Sequence, residues 1–223
     1  MLLLKLTKPI FEANWKMFDA IKIINKPEIR KWLADNGATG EPRVLGSGGY
    51  GWVFKVGDKV VKLTKDELEA KNSEIIMKKC DHPNMVKVWA VRPSGHKVLD
   101  MIGRSADVYL ILQDFVDTKK IDTDLAQAAD LVGGYFDVEP GSYTQDIDKV
   151  LKGFLEYNSE LHFYSDKQLP TTVFEKVKLL FNIVRDIYNT CGFRYQDLHH
   201  DNIGYAADGT LKVFDYGLSQ FAD

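Results

Sequence analysis

A chain of 223 residues, 45% of them hydrophobic, can bury one ample core or two small ones, and a formal net charge of −3 leaves no basic footprint for a nucleic-acid partner. Its two cysteines, Cys80 and Cys191, stand far apart without ligand-like neighbours, which points to neither a disulfide framework nor a zinc site and to a reducing compartment. The opening Met1-Leu2-Leu3-Leu4-Lys5-Leu6 is too short for a signal-peptide core, and no later stretch reaches a membrane span, so no membrane partner is expected.

Residues from about Pro9 to Asp35 read as two short helices, with Ile10, Trp15, Phe18, Ile21 and Ile24 at near-helical spacing. Pro27 is placed to start the second helix and Asn36-Gly37 to stop it; this prefix is expected to pack against the first lobe of the fold rather than to bind a partner. From Arg43 the pattern turns to strands: Val44-Leu45, a glycine-rich turn, Trp52 to Val56, a tight Gly57-Asp58 turn, then Lys59 to Leu63. Thr64-Lys65-Asp66-Glu67 has the form of a capping box, opening a helix whose Leu68, Asn72, Ile75 and Lys79 track one face and which ends near Cys80. The segment His82 to Val88 leads back into strand, with His82 structural, and Val108 to Phe115 reads as a buried strand turning polar at its end.

Residues from about Asp117 to Pro170 are the least readable, with weak helical signals among Asp122, Asp124, Asp130, Asp137, Glu139, Asp146 and Asp148. Scattered acids of this kind read as a solvated face in preference to a site for a basic substrate. The clearest element is a helix from about Thr172 to Thr190, where Val173, Val177, Leu180, Val184 and Ile187 fall three and four apart and Gly192 comes next as a stop. It delivers the chain into the last group of motifs.

Four motifs then stand in order: Gly46-Ser47-Gly48-Gly49-Tyr50-Gly51-Trp52-Val53, which fits G-x-G-x-x-G-x-V; Lys62 on the third strand; Asp197 to Asn202, an acid followed by an asparagine; and Asp215-Tyr216-Gly217. Together they resemble the protein-kinase-like phosphotransferases, over about Arg43 to Ser219. The resemblance implies an α+β, two-lobed fold: an antiparallel five-stranded N-lobe sheet with one main helix over 43–116, and a reduced, mainly helical C-lobe over 117–223. A helical extension, 1–42, precedes them, and ATP with Mg²⁺ would lie between the lobes.

The resemblance also implies roles, each answering a need of phosphoryl transfer, where positioning and charge neutralisation dominate. Gly46, Gly48 and Gly51 would let the backbone near Ser47, Gly49, Tyr50 and Val53 approach phosphate. Lys62 would offer a point charge to the α- and β-phosphates, held by a helix glutamate. Glu74 is the choice by its distance from His82-Pro83-Asn84, with Glu67, two turns earlier on about the same face, as the alternative. Backbone groups near Gln113 to Phe115 would hold adenine. Asp197 would be the catalytic base, and Asn202 and Asp215 would bind Mg²⁺ through oxygen.

The departures carry as much weight. Tyr195-Gln196 replaces the usual His-Arg, which removes the arginine that reads a phosphorylated loop, and His199 stands where a lysine is usual near the γ-phosphate. His200 is read as structural, and Tyr216 replaces a customary phenylalanine with similar packing. The sequence ends at Asp223, soon after Gly217, which is similar to the minimal serine/threonine kinases of bacteriophages and bacterial effectors. Those act in the cytoplasm, including a host's, on protein substrates. The Asp-Leu-His-x-x-Asn loop is also similar to small-molecule kinases of the aminoglycoside or choline type, and a nucleotide-binding pseudokinase is a third reading.

Overall fold

The computed structural model describes residues 17–99, 103–138, 147–160, 169–217 and 219–221. They form a mixed α+β structure in two units, Met1–Ala70 with Val88–Asp114, and Lys71–Lys87 with Phe115–Asp223.

In the first unit, α1 (Met17–Ile24) and α2 (Pro27–Asp35) are amphipathic, burying Ala20, Ile23, Ile24, Ile29 and Leu33. Proline at the first turn of α2 costs no hydrogen bond, since the N–H it lacks would have had no intrahelical partner. Gly37 ends the helix with φ 78°. Of the apolar positions expected in the first helix, Ile10 and Trp15 lie outside the described residues.

The sheet is antiparallel with strand order β1-β2-β3-β5-β4, where β1 is Arg43–Ser47, β2 Gly51–Val56, β3 Lys59–Thr64, β4 Val88–Leu99 and β5 Ser105–Asp114. The β2–β3 turn has positive φ at Gly57 alone, 65°, which suits a two-residue hairpin with glycine at its first central position. One face packs Phe54, Val56, Val61, Leu63, Val108, Leu110 and Leu112 against the inward sides of α1 and α2. The prefix helices are therefore part of this unit's core, each buried aliphatic side chain contributing about 1.5–3 kcal/mol.

Helix α3 (Glu67–Lys79) starts differently from the expected capping box. Asp66 is the cap, its Oδ1 accepting from the Leu68 and Glu69 amides at 2.9 and 3.2 Å, while the Thr64 hydroxyl accepts from the Asp66 amide. Its inward residues are Glu69, Ala70, Asn72, Ser73 and Ile76, whereas Leu68, expected on one face with Asn72, is half exposed.

The second unit rests on α4 (Thr123–Val138), α5 (Ile147–Glu160) and α6 (Thr171–Cys191). Helix α6 buries Val173, Val177, Leu180, Phe181, Ile183, Val184 and Ile187 and ends at Gly192, φ 66°, whose N–H bonds Tyr188 O. Tyr135, Phe136, Phe154, Tyr157 and Phe181 form an edge-to-face cluster where the three helices meet. Two small pairs complete the unit, β6 (Phe193–Arg194) with β9 (Gln220–Phe221) and β7 (Ile203–Tyr205) with β8 (Leu211–Val213). Among the described residues no helix is long and apolar enough to cross a membrane.

The fold overturns one expectation. Cys80, just after α3, and Cys191, the last residue of α6, are joined as a disulfide with Cα atoms 5.2 Å apart. Folding brings together two cysteines whose sequence distance hid the pairing, and the cysteine argument for a reducing compartment falls with it. The acids between 117 and 170 read as a solvated face, and Asp122, Asp130 and Asp148 are exposed, while several of the described acids also make local bonds. Asp117 caps a short 3₁₀ turn, Asp122 Oδ1 accepts the Leu125 amide at 2.7 Å as the cap of α4, and Asp130 bonds His200. Glu139 and Asp146 lie outside the described residues.

His82 is structural, as expected. Its Nδ1 accepts from the Asn84 amide at 3.1 Å, so Nε2 carries the proton and donates to Asp186 Oδ2 at 3.0 Å.

Candidate active site

The glycine turn and Lys62 lie in the first unit. The turn is closed by Gly48 N–H to Gly51 O at 3.0 Å, and Val53 stands opposite Lys62 across the β2–β3 ladder. The glycines have different reasons. A Cβ on Gly51 would sit 1.9 Å from Leu63 O, so β2 can approach β3 there only without a side chain. Gly46 and Gly48 would meet nothing within 4 Å, so the fold itself makes no demand for glycine at either. Ser47 ends β1 opposite Trp52, and Tyr50 is exposed at the tip.

Lys62 Nζ reaches Glu69 Oε1 at 2.6 Å, with side-chain exposures of 16% and 5%. This corrects the glutamate assignment. Glu74 is half exposed and bonds Lys78 at 2.6 Å, one turn along the same helix, and Glu67 is exposed at the helix start. Counting back from His82-Pro83-Asn84 selects the wrong turn of α3. The useful signal is Asp66, which as cap fixes the helix start and puts Glu69 on the buried face with Ser73 and Ile76. Gln113 lies inside the sheet, opposite Val60 on one side and Val88 on the other. Phe115 is the first residue of the second unit after β5.

In the second unit, the chain leaves α6 through β6 and enters the loop of Asp197. Asn202, buried, closes that loop: its Nδ2 donates to Asp197 O at 2.9 Å and to Asp197 Oδ2 at 3.0 Å. Those bonds use the amide nitrogen, so Oδ1 is the atom Asn202 can offer a cation. His199 Nδ1 accepts from the Asp201 amide at 3.3 Å, which puts its proton on Nε2, 3.7 Å from Asp197 Oδ1. That separation is beyond hydrogen-bond length.

Asp215 is brought to the same loop by the backbone. Phe214 N–H bonds Asn202 O at 3.0 Å, and the hydroxyl of fully buried Tyr195 donates to Phe214 O. With its peptide neighbours tied in this way, Asp215 takes φ 65°, a left-handed conformation found at no other non-glycine residue among those described. The next residue is anchored too. Tyr216 Oη lies 3.0 Å from Val86 O and 3.2 Å from Val213 O, and burial, aided by the nearby Asp215 charge, holds its phenol far above the ordinary range. Asn72 Nδ2 donates to Tyr216 O and Ser219 O, both at 2.8 Å, fixing the backbone on the far side of Asp215.

Sequence reasoning missed Tyr195 and Asn72 as supports, because each reaches a backbone carbonyl rather than a motif side chain. Among the described residues no group of three or more His, Cys, Asp or Glu side chains is placed to hold a metal ion. An amide oxygen and a carboxylate are hard donors suited to Mg²⁺, in the small number that leaves room for phosphate oxygens. Compared with known proteins, the chain matches no family model, and no curated protein matches it.

Proposed function

We propose that the chain is an ATP- and Mg²⁺-dependent phosphotransferase whose acceptor is a serine or threonine hydroxyl of a partner or host protein. The observation that carries this reading is the second unit's loop. Asn202 is bonded to both the backbone and the carboxylate of Asp197, and its carbonyl holds the peptide that puts Asp215 into a left-handed turn. A left-handed conformation held by several bonds at one acidic residue supports this reading, because backbone strain clusters at active sites.

In this reading Asp197 takes the proton of the acceptor hydroxyl as its oxygen bonds to phosphorus and the bridging bond to the leaving phosphate breaks. His199 Nε2–H, 3.7 Å from Asp197 Oδ1, donates to a phosphate oxygen. Asn202 and Asp215 would hold the cation, which with ATP would supply charge neutralisation and the transferable group. In the other unit, Lys62, fixed by Glu69, offers positive charge to phosphate, and the open glycines Gly46 and Gly48 offer backbone N–H groups.

Transfer of labelled γ-phosphate from ATP·Mg²⁺ tests this, using wild type and Asp215→Ala, each alone and with a bacterial lysate. Labelled protein bands that vanish in the variant support the proposal. Label confined to small molecules favours the aminoglycoside or choline type of acceptor, the reading that the Asp197-Leu198-His199 sequence supports. ATP binding without transfer to anything would sink phosphotransfer and leave a nucleotide-binding module.

A further inference from the structure

The loop between Asp197 and Asn202 is held from a direction that none of its own motif residues provides. His200 opens the short 3₁₀ turn His200–Asn202, so its backbone N–H has no partner within the turn. Asp130, on α4, supplies one: Oδ1 accepts that N–H at 3.0 Å, and both carboxylate oxygens lie 2.9 Å from His200 Nδ1. One carboxylate thus takes the main chain and the ring of the same residue, which fixes Nδ1 as a donor.

One turn further along α4, Gly133 makes a second contact with the loop. A Cβ there would lie 1.8 Å from Leu198 O, so the helix backbone touches the loop directly. The two contacts fall on either side of His199. They act on the stretch whose ends are joined by the Asn202–Asp197 hydrogen bonds.

We propose that Asp130 is a positioning residue, which through His200 sets the geometry of Asp197 and Asn202. This rests on the reading that Asp197 and Asn202 carry phosphoryl transfer. Asp130 itself touches neither substrate nor cation, and its effect is on the placement of the two that do.

The test combines kinetics with amide hydrogen exchange on the full chain without nucleotide. Asp130→Ala is expected to lower kcat by about 10- to 100-fold, the size of effect that a small displacement of a reacting group produces. The KM for ATP and the melting temperature should stay close to wild type. Exchange of the amides at 199–202 should quicken by about tenfold, as loss of a hydrogen bond to a charged group predicts. His200→Ala should lose part of the rate, and His200→Asn, whose amide nitrogen can stand where Nδ1 stood, should restore most of it. The double variant Asp130→Ala/His200→Ala should be no slower than Asp130→Ala alone.

Should Asp130→Ala unfold the chain, Asp130→Asn and the two His200 variants carry the same comparison. Unchanged exchange at 199–202, or quickened exchange with an unchanged kcat, overturns the proposal. A wild-type chain that transfers no phosphate overturns instead the assignment of Asp197 and Asn202, and the exchange data distinguish that failure from loss of the clasp.

Discussion

Glu69 and Glu74 sit on one helix and each binds a lysine at 2.6 Å, yet their removal should differ by an order of magnitude in free energy. Lys62 is 16% exposed and Glu69 5%, so Glu69→Gln leaves an ammonium with little water to replace its partner. Breaking a buried pair costs about 3–5 kcal/mol, and the residual exposure of Lys62 places this case near about 3. Glu74 and Lys78 are 50% and 60% exposed at i,i+4 spacing, where an ion pair contributes about 0.3–0.5 kcal/mol. Glu74→Ala should therefore be almost silent. Denaturant titration, monitored in the first unit, measures both, and the Glu69→Gln/Lys62→Met double variant isolates the pair through its coupling energy. Phosphate transfer gives a second reading: Glu69→Gln should raise the KM for ATP and slow turnover, while Glu74→Ala stays within about twofold of wild type. Equal costs for the two glutamates, or a coupling near zero for Glu69 and Lys62, would refute the reasoning.

The disulfide, the close-packed glycine of α4 and a half-buried histidine each carry a further expectation. Cys80–Cys191 closes a sequence separation of 111 residues, for which the chain-entropy model gives about 4–5 kcal/mol, so reduction should lower the second unit's melting temperature by roughly 10–20 °C; two thiols that alkylate before any reductant is added would contradict it. Gly133→Ala should cost about 3 kcal/mol and depress transfer, because its Cβ would meet Leu198 O, whereas Gly134→Ala, with nothing within 4 Å, should be neutral or gain up to about 1 kcal/mol of helix propensity; thermal melts of the two variants decide. His96 has its pKa lowered chiefly by burial and then by the Lys26 ammonium 3.3 Å from Nδ1, with Glu28 opposing. Its neutral form is the one the fold prefers, so this contribution is full above the ordinary histidine pKa and is lost as pH falls toward the lowered one; melting temperatures between pH 7 and 5 should fall less in His96→Asn, and an unchanged slope would remove His96 as the cause.

Legibility in the sequence divides by the range of the interaction that fixes each element. Helix α6 is legible because its apolar side chains recur with the helical period and Gly192 marks its end, and the β2–β3 hairpin because two short β-branched and aromatic runs flank the Gly57-Asp58 turn. The buried face of α3 is not: apart from Ile76 it is made of Glu69, Ala70, Asn72 and Ser73, small or polar groups that leave little hydrophobic period. Helix α4 is obscured for a related reason, since Ala128 and Ala129 are small where the helix is buried and Gly133 lies where the backbone of Leu198 comes close, which leaves a weak hydrophobic pattern.

The candidate site repeats the pattern. Asp197, Asn202 and Asp215 can be picked out because few residues separate them from their motif neighbours, but what holds them in place comes from elsewhere in the chain. Asn72 reaches carbonyls 144 and 147 residues away, and Asp130 reaches His200 across 70. A hydrogen bond to a backbone carbonyl or amide places no requirement on the identity of the residue it reaches, so nothing in the local sequence records it. The left-handed Asp215 is the clearest instance. The motif names the residue, but its conformation depends on Phe214, whose two main-chain groups are bound by Asn202 and Tyr195. Tyr195 stands in the sequence only as a departure from an expected histidine, and its hydroxyl, buried with the rest of the side chain, is the group that holds the Phe214 carbonyl in place.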